Sequence, residues 1–256
     1  MVNLLLNWTI DPLVYGDYPP EMRRYHGSEL PSFSTEETEW IKGSIDFIGI
    51  NHYSAIYVKD CIYSSCNQAG NRTIQGFVET TGERDGVPTG EPTVMPAFFV
   101  VPRGMEEIVN YLKNRYHNKP MFVTENGYSP PEKEEAQVQD VLHDVKRIEF
   151  HKGYFASLAQ AIRNGADVRG YFAWSLMDNF EWIRGYSTRF GLHYIDCQTL
   201  NRIPKLSAKW YKRFLTKSSP NNEGAGAWIR DGWSFDGRID DKECKVGKIN
   251  GNVGGR

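Results

Sequence analysis

The chain has 256 residues, enough to bury a sizeable core, and 40% hydrophobic with 24% charged is ordinary for a soluble globular protein. A formal net charge of −2 offers no electrostatic reason to expect nucleic acid or an anionic membrane as partner. No run approaches the ~20 apolar residues that span a bilayer, and Met1-Val2-Asn3-Leu4-Leu5-Leu6 is too short, and lacks the basic start, for a signal peptide.

The residues before Ile45 read as a helix and its loops. Ile45-Asp46-Phe47-Ile48-Gly49-Ile50 is a strand-like run leading into Asn51-His52-Tyr53. Residues 60–96 are polar and Gly/Thr-rich, a long loop by composition. Met105, Ile108, Val109, Leu112 and Tyr116 recur at helical spacing and predict an amphipathic helix over 104–117. The apolar run Met121-Phe122-Val123 predicts a short buried strand, ended by a tight turn at Asn126-Gly127. Val141, Val145, Ile148, Phe155, Leu158 and Ile162 trace a second helical stripe, which should stop at Asn164-Gly165, a left-handed cap. Val168 to Ala173 is a third strand-like run. Leu206, Trp210 and Phe214 then place a last helix near Lys205 to Leu215. Strand, helix, strand, helix is the alternation of a parallel α/β architecture. From Ser218 the chain is polar and Gly-rich, so residues 217–256 read as a disordered tail.

Four cysteines are too few for a disulfide scaffold. Cys61 and Cys66 are close enough in sequence to clip a small loop in an oxidising compartment; in a reducing one they are two free thiols. Asn7-Trp8-Thr9 and Asn71-Arg72-Thr73 fit the glycosylation sequon, and Asn71, in the polar loop, is the better acceptor. Neither the cysteines nor the six histidines have metal-site spacing, so no metal or cofactor is expected.

The chemistry gathers at the strand ends. Thr124-Glu125-Asn126-Gly127 closes the second strand, and a carboxylate at the C-terminal tip of a barrel strand points into the mouth where barrel enzymes work. The third strand runs into Trp174-Ser175-Leu176-Met177-Asp178-Asn179-Phe180-Glu181-Trp182. Three strand ends carrying aromatics and carboxylates look like a sugar site: aromatic faces stack on a pyranose, and carboxylates and amides take its hydroxyls.

These segments, with Asp11-Pro12-Leu13-Val14-Tyr15-Gly16-Asp17-Tyr18-Pro19 and Arg189-Phe190-Gly191-Leu192-His193-Tyr194-Ile195-Asp196, resemble the C-terminal half of glycoside hydrolase family 1, the β-glucosidases, in its plant branch. The resemblance covers residues 11–216, leaving residues 1–10 unmatched. It implies a (β/α)8 TIM-barrel fold, present here only as a C-terminal portion. A bare barrel takes about 250 residues, yet the resemblance makes the Glu125 strand the seventh of eight. Six preceding strand–helix units would need roughly 180 residues, and only 120 precede Met121. About three barrel strands are therefore expected.

The resemblance implies that Glu125 is the nucleophile of a retaining glycosidase acting on a plant β-D-glucoside. It implies that Tyr53 donates to that carboxylate, Trp174 stacks under the glucose ring, and Glu181 takes its outer hydroxyls with Trp182 beside it. Phe190 closes the pocket wall, and Asn51 is a polar site residue. The long loop of 60–96 sits over the mouth. The family's acid/base glutamate lies in an Asn-Glu-Pro motif on the fourth strand. The nearest text, Gly90-Glu91-Pro92, has no strand before it and is rejected. Without the acid/base position, O- and S-glucosides are not distinguished. The carboxylate of Glu181 argues against 6-phosphoglucosides, since it would repel a phosphate. In Pro96-Ala97-Phe98-Phe99-Val100-Val101-Pro102, Ala97 stands where the family often has an aglycone-stacking tryptophan. With the Cys61/Cys66 loop, this is similar to the plant members that handle phenylpropanoid (monolignol) glucosides. Family members are typically secreted or vacuolar. Two readings follow: a β-glucosidase, or a truncated non-catalytic remnant with weak or no sugar binding. A dedicated carbohydrate-binding module has no need of a glutamate placed as nucleophile.

Overall fold

The structure, a computed structural model, describes residues 4–61, 63–66, 73–75, 78–131 and 137–216. Asn71 and the 217–256 tail lie outside the described residues. The architecture is built on one parallel three-stranded sheet. Its members are β1 (Ile48–Asn51), β2 (Met121–Asn126) and β3 (Val168–Ala173), with β2 in the centre. Ile48 and Val168 both lie opposite Met121, and Asn51 lies opposite Glu125. Both pairings carry a register shift near the C-terminal end, where a bulge re-aims the side chains that follow.

One face of the sheet is covered by two helices, α2 (Pro102–Arg115) and α3 (Val145–Arg163). The N-terminal α1 (Leu4–Tyr15) packs on the same core. Helix α2 begins with proline at its first turn, where no N–H is needed, and ends with Lys113 and Arg115 at its negative pole. Its buried Met105, Val109 and Leu112 meet Ile48, Ile50, Met121 and Val123 of the sheet and Phe150, Tyr154, Leu158 and Ala161 of α3. Full burial of such side chains stabilises by about 1.5–3 kcal/mol each. Helix α3 stops where expected, with Gly165 rather than Asn164 in the left-handed region (φ 90°). Helix α4 (Leu206–Thr216) lays Trp210, Tyr211 and Phe214 against Phe155 of α3.

Three expectations are corrected. The stripe from Val141 is not one helix: Val138–Leu142 is a separate turn, and α3 starts at Val145. Asp144 breaks the helix (ψ 56°) because its carboxylate is drawn to Arg147 Nε (2.7 Å), Ser207 N (2.8 Å) and Ser207 Oγ (2.6 Å). The segment 60–96 is not structureless. Tyr57–Asp60, Val78–Thr81 and Thr73–Gln75 form an antiparallel sheet, and Glu83–Arg84 pairs with Val87–Pro88. The last pair turns through Asp85 (φ 53°) and Gly86 (φ 75°), the two-residue hairpin that Asp-Gly favours. Among the described residues before Ile45 there are three α-helices: α1, Pro20–His26 and Thr35–Ile41. Helix α1 runs through position 10 without a break, and polar contacts anchor the stretches on both sides of it. Asn7 Oδ1 accepts from Tyr111 (2.8 Å) and Tyr116 (3.0 Å), and Asp11 accepts from Tyr116 (2.7 Å) and Arg115 Nε (3.0 Å). Asn7 is thereby buried and cannot carry a glycan in this fold.

Candidate active site

The C-terminal tips of the three strands converge. Tyr53, two residues past β1, donates its hydroxyl to Glu125 Oε2 at 2.7 Å. The Tyr53 ring is held by Phe98 (centroids 5.8 Å) and by Phe190, which meets it edge-on at 6.0 Å. Burial, the hydrogen bond to Glu125, and the charges of Glu125 and Glu181 all push the Tyr53 hydroxyl far above the usual phenol range. It therefore stays protonated and remains a donor. Asn51 sits opposite Glu125, exposed, and accepts from Thr124 Oγ1 at 2.7 Å.

The long segment after β3 reaches the same place. Trp174, half-buried, donates its backbone N–H to Asn126 O at 2.9 Å. Glu181 is buried, and its Oε2 accepts from Asn179 Nδ2 at 3.0 Å, while Asn179 Oδ1 accepts from Ser175 Oγ at 3.2 Å. Phe190 is buried as the wall behind Tyr53. Trp182 follows Glu181 directly. It stands 82% exposed with φ 44°, on the short turn Trp182–Arg184, beside Ile183 at 99%. Asn126-Gly127 is also not the tight turn expected. Asn126 is still strand, and a Cβ on Gly127 would fall 2.0 Å from Trp174 O, so glycine is needed there for close approach of two chains.

The residues that hold this arrangement were not legible as such. Asn126 is fully buried and joins all three strand ends: its Nδ2 donates to His52 O (2.6 Å), and its Oδ1 accepts from Tyr171 (2.6 Å). Tyr171 spends its proton on Asn126, so it accepts from His151 Nδ1 at 3.0 Å. His151 is neutral, pushed down to about 3 by burial and by Arg147. Further out, Arg147 is buried and donates to the carbonyls of Tyr128, Phe190 (2.7 Å) and Arg189 (2.9 Å). Asp178 takes Gly191 N (2.9 Å), Lys205 Nζ (2.8 Å) and Arg189 Nη1 (3.1 Å). Burial and Arg147 lower Lys205 to about 8, against the pull of Asp178. These ion pairs pin the 174–191 segment to α3 and to the start of α4.

Cys61 and Cys66 are joined as a disulfide, with their Cα atoms 5.4 Å apart. Glu91 lies on the two-residue strand Glu91–Pro92, exposed and paired with Lys146 at 3.4 Å. Among the described residues, no cluster of His, Cys, Asp or Glu could hold a metal, and no helix is long and apolar enough to cross a membrane.

Residues 1–220 match the sequence profile of glycosyl hydrolase family 1. The chain belongs to that family. It is 50% identical over 213 residues to a rice (Oryza sativa subsp. japonica) protein named probable inactive beta-glucosidase 14, covering 83% of this chain and 41% of that one. It is 47% identical over 211 residues to coniferin beta-glucosidase of Pinus contorta, covering 82% and 41%. The fold superposes on the rice Os3BGlu6 beta-glucosidase with TM-score 0.73 at 40% identity, covering 81% of this chain and 44% of that one. On a family 1 beta-glucosidase of Humicola insolens in complex with glucose, the TM-score is 0.74 at 37% identity, covering 82% and 44%. The chain thus spans about two fifths of the rice and pine relatives, and its parallel sheet is a C-terminal portion of the family's TIM barrel.

Proposed function

We propose that residues 11–216 form the nucleophile half of a retaining β-glucosidase site, with Glu125 as nucleophile and a plant β-D-glucoside as substrate. The observation that carries this is the 2.7 Å bond from Tyr53 to Glu125 Oε2 at the mouth of a parallel sheet. The Tyr53 hydroxyl favours the ionised carboxylate and fixes its direction of attack. In the reaction, a Glu125 oxygen bonds to the anomeric carbon while the bond to the aglycone oxygen breaks, its electron pair leaving with that oxygen. Water then attacks the same carbon, releases Glu125 as carboxylate and gives glucose of retained configuration. Trp174 is the stacking platform, Glu181 takes the sugar's outer hydroxyls with Trp182 beside it, Phe190 backs the pocket, and Asn51 is a polar contact.

Glycosidases of this kind need a second carboxyl about 5–5.5 Å away to protonate the leaving oxygen. The Asn-Glu-Pro motif that carries this group in the family does not occur in the sequence. The 256 residues by themselves are then a non-catalytic portion. The name of the rice relative, probable inactive, favours the same reading. Loss of general-acid help costs on the order of 10²–10⁴ in rate, and the rest of the sugar pocket is lost with it. The test fuses this chain to the part of Os3BGlu6 that it does not match, restoring one barrel. Hydrolysis with retention is expected. Glu125→Gly should abolish it, and azide should rescue turnover of an activated aryl glucoside as the glucosyl azide of inverted configuration. Unchanged turnover in Glu125→Gly removes Glu125 from the mechanism.

A further inference from the structure

Glu181 is fixed twice, by its backbone and by its side chain, and different groups do the two jobs. Its N–H donates to Gly185 O at 2.7 Å and its carbonyl accepts from Arg184 N at 2.8 Å, so the turn 181–185 closes on its own main chain. The stretch before it is fixed independently. Ser175 N donates to Phe190 O (3.2 Å), Leu192 N to Ser175 O (2.8 Å) and Asp178 N to His193 O (3.0 Å). Half-buried Asn179 lies between these two backbone frames, and neither uses its side chain. That side chain bridges them instead. Nδ2 faces two acceptors, Phe180 O at 3.4 Å and Glu181 Oε2 at 3.0 Å. Oδ1 faces the Ser175 hydroxyl at 3.2 Å, whose proton is shared with Met177 O at 2.6 Å. A flipped amide would set oxygen against both acceptors, so one orientation is fixed. Among the described residues, Asn179 is the one group that hydrogen-bonds the Glu181 carboxylate, and it takes only Oε2.

On the reading that Glu181 takes the sugar's outer hydroxyls, we propose that Asn179 is the residue that positions it for them. A glutamate side chain turns about several bonds, and a loose carboxylate would have to be ordered each time a sugar bound. Asn179 orders it in advance, so less of the binding energy is lost to immobilising it. The amide fills one lone pair of Oε2, which leaves Oε1 and the rest of Oε2 to accept from hydroxyls. With Glu125 at the anomeric carbon, the hydroxyls most remote from it are those on C4 and C6. Discrimination at those two carbons therefore depends on Asn179, and discrimination at C2, beside the anomeric carbon, does not.

The test titrates the fused barrel with glucose and with its 2-deoxy, 4-deoxy and 6-deoxy analogues, followed by tryptophan fluorescence. Glucose is not consumed, so the measurement does not depend on turnover. In the unaltered barrel the 4-deoxy and 6-deoxy sugars should each bind about tenfold more weakly than glucose, the size of a hydrogen bond to a charged group. In Asn179→Ala that gap should shrink to about threefold or less as the carboxylate loses its order, while the 2-deoxy gap stays. Equal weakening of all four sugars marks a general loosening of the loop and overturns the proposal, and so does an unchanged gap. Asn179→Asp keeps the shape but faces Glu181 with an acceptor, so it should narrow the gap likewise. It decides the matter if circular dichroism shows the alanine variant misfolded. A barrel whose variants lose the gap, yet which hydrolyses no activated glucoside, upholds the role of Asn179 and counts against the glucosidase reading. Hydrolysis with the gap intact in both variants does the reverse. An unaltered barrel that binds no glucose overturns the role of Asn179 together with the sugar site.

Discussion

Replacing Asn126 with alanine should loosen the site without touching any group that meets substrate. The side chain is fully buried and makes two short hydrogen bonds, to His52 O and from Tyr171, each 2.6 Å. Tyr171 keeps His151 as a partner, so its loss is one hydrogen bond, about 1 kcal/mol. The His52 carbonyl loses its side-chain donor within the core, which costs about 1–3 kcal/mol. The sum is roughly 3 kcal/mol. Function should suffer more than binding, since His52 precedes Tyr53 and Asn126 follows Glu125. A displacement of ~1 Å between nucleophile and its donor can cost on the order of 10² in rate. In the fused barrel, urea unfolding followed by tryptophan fluorescence gives the first number, and kcat against KM gives the second. Asn126→Asp sharpens the test. It keeps the acceptor for Tyr171 but turns the donor into an oxygen facing His52 O. That carboxyl is favoured in its neutral form, which can donate, so its deficit against wild type should shrink from pH 7 to pH 5. A loss under 1 kcal/mol in Asn126→Ala, with kcat unchanged, would refute the reasoning.

Gly127→Ala puts a Cβ 2.0 Å from Trp174 O, so it should displace the Trp174 strand end and raise KM for glucosides at least tenfold, measured in the fused barrel. His52 and His151 are held near 4 and 3 by burial, against about 6.5 unfolded, so the unfolded chain takes their protons first as pH falls. Stability should therefore drop below pH 6.5, each histidine adding about 1.4 kcal/mol per pH unit down to its folded value. His151→Phe should remove one such contribution from the pH slope of the urea midpoint; an unaltered slope excludes a buried neutral His151. A non-reduced digest should show Cys61 and Cys66 in one linked peptide, and two freely alkylated thiols in protein kept under oxidising conditions would contradict the structure. The 256-residue chain alone should turn over an activated aryl glucoside at background only, and a rate of roughly 1 s⁻¹ or more would refute the half-site reading.

Much of this protein is written locally. The three barrel strands, the helices at 102–115, 145–163 and 206–216, and the stop at Gly165 follow from apolar spacing and glycine, because burial on one face leaves a periodic trace. The strand-end motifs at 51–53, 124–127 and 174–182 are enough for the family. Other features are decided only by contacts between distant segments. The antiparallel strands of 57–81 and the hairpin at Asp85-Gly86 lie in a stretch that composition marks as loop, since they are held by backbone pairing. Gly127 looks like a turn residue, but its lack of a side chain matters because Trp174 passes against it. Asn126 reads as a turn residue, Asp178 as one letter of a longer motif, and Arg147 and Lys205 as ordinary surface cations. Each is buried in the fold, and a buried polar group must find its partners across the chain, tens of residues away. Local spacing encodes which face of an element is apolar; it does not encode which remote carbonyl that element will meet.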